Sequence, residues 1–85
     1  MASTFSREEI KLIKKVREWA EYQSYETRRN YFYRVLNEIG RNPTSHQVKF
    51  AYSISQNLVL DESDLLEIMG DFWGMTDSEI HRCVW

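Results

Sequence analysis

Catalysis or metal binding in this chain would have to come from its two histidines, its single cysteine and its clustered carboxylates, and their spacing argues against both. His81 and Cys83 stand two residues apart in a predicted helix, so their side chains point about 160° apart, and no second pair completes a metal site. His46 is distant from both in sequence. Asp61, Glu62 and Asp64 crowd at a predicted helix start, where the macrodipole favours negative charge. As a calcium loop they fail, because Leu65 stands where an oxygen ligand is required and Gly70 lies well beyond the place of the turn glycine. There is no glycine-rich phosphate cradle and no nucleophile elbow. The expectation is a protein that is not an enzyme, holds no metal and no cofactor, and takes no small-molecule substrate.

Binding is the chemistry that remains, and three groups of residues carry it. The run Arg28-Arg29-Asn30-Tyr31-Phe32-Tyr33-Arg34 interleaves rings with guanidiniums, the combination that binds single-stranded nucleic acid. On a helix Phe32 must face the core, which leaves Arg29 stacked on Tyr33 as a local surface pair. The segment 44–58 presents a short, hydrogen-bonding face of His46, Lys49, Ser53, Gln56 and Asn57, suited to base edges or to a polar protein surface. The third group is acidic and aromatic: Trp73, Met75 and Trp85, with Asp71 and Asp77, are candidates for contact with a protein partner.

The elements that must position these residues are helices. Ser6-Arg7-Glu8-Glu9, Thr44-Ser45-His46-Gln47 and Thr76-Asp77-Ser78-Glu79 have the form of capping boxes, in which a hydroxyl and a carboxylate or amide satisfy free N–H groups at a helix start. The first opens a helix over 7–23, with Leu12, Ile13, Val16, Trp19, Ala20 and Gln23 on the inner side and lysines and glutamates outside. There Lys14 can pair with Glu18 and Arg17 with Glu21. A break falls near Ser24-Tyr25-Glu26-Thr27, although one long helix to Ile39 is the alternative. A second helix over 25–39 buries Phe32, Val35, Leu36 and Ile39 and ends at Gly40, read as a left-handed C-cap. The third, over 45–58, buries Val48, Ala51, Ile54, Ser55, Leu58 and either Phe50 or Tyr52, and its small residues allow close helix approach. A fourth over 62–73 buries Leu65, Leu66, Ile68, Met69, Phe72 and Trp73 and is closed by Gly74; a fifth spans 77–84. The fold class is all-α: a compact single domain, residues 1–85, of four to five helices.

Composition agrees with that architecture. A chain of 85 residues, 42% hydrophobic, buries one modest core, roughly 60% of its unfolded surface. One cysteine allows no internal disulfide, and no apolar run has the length of a signal peptide core or a membrane span, so a soluble, cytoplasmic protein in a reducing compartment is expected. The net charge of −2 conceals an asymmetry: residues 1–42 hold nine Arg/Lys against six Glu, a net of +3, and residues 43–85 hold two against seven Asp/Glu, a net of −5. Such polarity can attract a charged partner or a second copy.

Phe5-Ser6-Arg7-Glu8-Glu9-Ile10, Val35-Leu36-Asn37-Glu38-Ile39-Gly40-Arg41-Asn42-Pro43-Thr44 and Gln47-Val48-Lys49 together resemble the Myb/SANT-like arrangement over about residues 5–58. The resemblance implies a three-helix helix-turn-helix module whose recognition helix, 44–58, turns His46, Lys49 and Ser53 toward the groove. The family's regular tryptophans are absent apart from Trp19, the turn before the third helix is longer, and that helix has no arginine for guanine contacts.

Two functions follow as expectations. The first is a small helical interaction or regulatory module that binds a protein partner or itself. The alternative is a nucleic-acid binder using His46, Lys49 and Ser53, with basic support from Lys11, Lys14, Lys15, Arg28, Arg29 and Arg41.

Overall fold

Four of the five helix starts among the described residues are set by side chains that satisfy the first free backbone N–H groups. The computed structural model describes residues 5–84. α1 (Arg7–Ala20) opens with the Ser6 box: Oγ of Ser6 accepts from the Glu9 N–H at 3.1 Å, and the Glu9 carboxylate accepts from the Ser6 N–H at 2.8 Å. α2 (Tyr25–Ile39) is capped by Ser24, whose Oγ accepts from the Thr27 N–H. α3 (Ser45–Asn57) carries the Thr44–Gln47 box, and α5 (Asp77–Val84) the Thr76–Glu79 box. At the start of α4 (Glu62–Trp73) Asp61 makes no side-chain cap, and Glu62 and Asp64 supply negative charge to the first turn.

α1 and α2 are two helices. α1 stops at Ala20, three residues before the expected end, because the Tyr22 and Gln23 N–H groups bond three residues back to Trp19 and Ala20 and tighten the last turn. Ser24 then starts the next helix. Gly40 ends α2 at φ +94° with an extended ψ, a glycine-favouring conformation but not the left-handed helical one expected. Gly74 does take the left-handed conformation at the end of α4, φ +65°.

The end of α3 uses a third device. Leu60 N–H bonds Ser55 C=O and Val59 N–H bonds Gln56 C=O, the paired bonds of a Schellman motif. A valine occupies the left-handed position that glycine normally takes, at φ +57°. The outward carbonyls of Leu58 and Val59 are both met by Nη1 of Arg28 from α2, at 2.8 and 3.2 Å.

The central helix is α3, which packs against α1, α2 and α5, while α4 closes on α2 and α5. Ala51 and Ser55, both without exposed surface, let the neighbouring backbones approach. Buried Ser55 is satisfied locally, donating to Tyr52 C=O at 2.6 Å. Around them Phe32, Leu36, Val48, Ile54, Leu58, Leu65, Met69 and Ile80 are sealed from solvent. Of the two aromatic alternatives on α3, Tyr52 is buried and donates its hydroxyl to Glu62, while Phe50 is half-buried. Among the described residues no strand occurs and no helix is long and apolar enough to cross a membrane.

Candidate interaction surface

α1 points Ile13, Val16 and Ala20 at the core. Leu12 and Trp19, seven residues apart and therefore on one flank, lie beside that stripe rather than within it. The sequence periodicity places them inside; the structure leaves Leu12 40% and Trp19 37% exposed, since the neighbouring helices cover this flank only in part. Tyr31 of α2 is the residue that meets them. Its ring lies 5.2 Å from the Trp19 ring at a tilt of 49°.

Two adjoining hollows share this ring pair. One, of about 220 Å³, is lined by Leu12, Lys15, Val16, Trp19 and Tyr31. The other, of about 260 Å³, is lined by Trp19, Thr27, Asn30, Tyr31 and Arg34. Partial burial raises the Tyr31 phenol pKa, with a further push from Glu38 that Arg34 opposes. Leu12, Trp19 and Tyr31 did not stand out as a site in the sequence; the signal was the i, i+7 relation of Leu12 and Trp19, indistinguishable there from the edge of a core stripe.

The acidic and aromatic candidates are more engaged by their own chain. Trp73 is half-buried and donates its indole N–H to Gly40 C=O at 2.7 Å, which ties α4 to the end of α2. Met75 is half-buried against the core. Asp71 and Asp77 are exposed, Asp71 beside Tyr33, Arg41, Ile68 and Phe72, Asp77 in the first turn of α5. Trp85 lies outside the described residues.

The residues proposed for nucleic acid divide among several places. Lys49 and Ser53 line one hollow on α3 with Phe5, Tyr52, Gln56 and Val84. His46 joins that strip through Phe5, whose ring packs edge-on against it at 5.6 Å, and its Nε2 is 2.9 Å from Glu9. Arg28 is occupied with the α3 carbonyls and lies over the Tyr25 ring. Arg29 lies over Tyr33 at 6.0 Å, the local pair expected, and Arg41 over Phe72 at 5.4 Å. Lys14 is exposed on α1, and Lys15 belongs to the Leu12–Trp19 hollow. No ion pair joins Lys14 to Glu18 or Arg17 to Glu21 among the described residues, since these exposed charges remain in solvent.

No cluster of three metal-ligating side chains occurs among the described residues. His81 sits 3.9 Å from Glu62, whereas Cys83 is near Ser45. Compared with protein-family models, with curated proteins and with solved structures, the chain matches none.

Proposed function

We infer that this chain is a non-enzymatic helical module that acts by binding another protein. What supports the reading is one observation: Leu12, Trp19 and Tyr31 form an open apolar surface. Tryptophan and tyrosine supply much of the binding energy in protein interfaces, because each removes a large rigid area from water at small entropic cost. Exposed Asp71 and Asp77 extend the contact options to the acidic half of the molecule.

The test compares the native chain with a Leu12→Ser/Trp19→Ser variant in affinity capture, with partners identified by mass spectrometry and folding checked by circular dichroism. The expected result is a partner held by the native chain and lost by the folded variant. Equal retention by both chains would overturn the reading.

A second reading is a helix-turn-helix nucleic-acid binder, favoured by the strip on α3 that carries His46, Lys49 and Ser53 together. Phosphate contacts make affinity fall by roughly one log unit per log of salt for each contact. Anisotropy titrations with duplex and single-stranded oligonucleotides at two salt concentrations test it, and an absence of binding at low salt removes it.

A further inference from the structure

We propose that the depression around Trp19 and Tyr31 receives an acidic protein segment bearing two large apolar side chains, one for each hollow. This rests on the protein-binding reading above and adds the chemistry of the partner. Size is the first argument. A closed cavity of about 150 Å³ holds a benzene molecule, so open hollows of about 220 and 260 Å³ each admit one large side chain.

Charge is the second. The charged side chains lining the two hollows are Lys15 in one and Arg34 in the other, and neither has an ion-pair partner among the described residues. Glu38 acts on the Tyr31 ring but lies outside both linings. A carboxylate flanking each apolar anchor therefore meets an unpaired cation, and a partner cation meets a like charge.

The same observations weigh against the other occupants. A second copy offers an acidic surface on α4 and α5, but the exposed large hydrophobics of the described residues are Leu12, Trp19, Tyr22, Tyr33 and Val59, none of them on those helices. Among the described residues, its charge comes without a large hydrophobic as exposed as Leu12 or Trp19. A nucleobase stacks flat on a ring, whereas Trp19 and Tyr31 stand at 49° to each other and the first hollow is walled by aliphatic Leu12 and Val16, which give a base no second platform.

The experiment measures fluorescence anisotropy of labelled probes on the full chain. The probes are a glutamate-rich peptide with two leucine anchors one helical turn apart, the same anchors on a lysine-rich background, a glutamate-rich peptide without anchors, and oligothymidylate. The anchored acidic peptide is expected to bind at least about tenfold more tightly than any other probe, and Trp19→Ser to weaken it by about tenfold or more. In a Lys15→Glu/Arg34→Glu variant, the preference for the acidic over the basic anchored peptide is expected to reverse. Anchored peptides that bind regardless of their charge overturn the acidic assignment and leave the protein-binding reading in place. Tighter binding of oligothymidylate that depends on Trp19 overturns both. If no anchored peptide binds while the captured partner is still lost by the double-serine variant, the proposal falls and the reading above stands.

Discussion

Val59 holds a left-handed backbone at φ +57° although it is β-branched, and its side chain is 68% exposed. For an L-residue that conformation costs about 1–2 kcal/mol, and so exposed a side chain returns little by burial. It persists because the Schellman bonds and the Arg28 guanidinium fix the backbone on both sides. Val59→Gly relieves the strain and adds unfolded-state entropy of about 0.5–1 kcal/mol. The expected net effect is a gain of up to about 1 kcal/mol, read as a higher urea midpoint; a lower midpoint would contradict the strain. Nothing in Asn57-Leu58-Val59-Leu60 advertises this turn, for the residue that usually marks it is missing and the compensating cation lies 30 residues away.

At the scale of elements, the link from α4 to α5 folds back over Gly70. Met75 N–H bonds Gly70 C=O, and a Cβ added at Gly70 would stand 2.9 Å from the Met75 carbonyl oxygen. Alanine is worth about 1 kcal/mol over glycine inside a helix. Here the obstacle is backbone, which cannot swing aside as a side-chain tip can, so Gly70→Ala is expected to lower stability by about 1–2 kcal/mol. Thermal melts of the two chains decide it, and a rise in Tm would show that the link relaxes freely. Most element boundaries were legible in advance, because Ser6, Thr44 and Thr76 with their partners at the third position announce helix starts by purely local chemistry. The end of α1 was less so: its last bonds run three residues back, and no glycine marks the stop. The flank of Leu12 and Trp19 was hidden for a different reason. Periodicity gives the direction of a side chain from its helix, but whether another helix lies in that direction depends on tertiary packing.

Across the whole molecule, stability is bounded by two sets of protons. The Ser6 and Thr76 backbone N–H groups hold the Glu9 and Glu79 carboxyls below their usual value of 4.5, with His46 adding to the effect at Glu9. A carboxyl depressed in the folded state contributes stability that is present above its unfolded value and is lost as pH falls through the folded one. The phenols of Tyr25, Tyr31 and Tyr52 are shifted the other way, above 10.0, by burial first and then by Asp64, Glu38 and Glu62 respectively. Their contribution is complete below 10.0 and is lost as pH rises through the folded values. Urea midpoints are therefore expected to fall below pH 4.5 and again above pH 10.0. Glu9→Gln is expected to soften the acid fall and Tyr52→Phe the alkaline one, while unchanged slopes in both variants would locate the titration elsewhere.

The first turn of α2 reaches further than its size suggests. The Tyr25 hydroxyl donates to Asp64 and accepts from the Asp61 N–H, while Arg28 secures Leu58 and Val59, so one helical turn grips both sides of the corner between α3 and α4. That corner lies 30 to 39 residues along the chain, and closing so long a loop costs entropy before any contact offsets it. Folding is thus expected to pass through a late docking step in which the two halves meet at this turn. Tyr25→Phe would then slow refolding by much less than it speeds unfolding, giving a φ-value well below one in stopped-flow chevrons. A φ-value near one would place the corner in the folding nucleus instead.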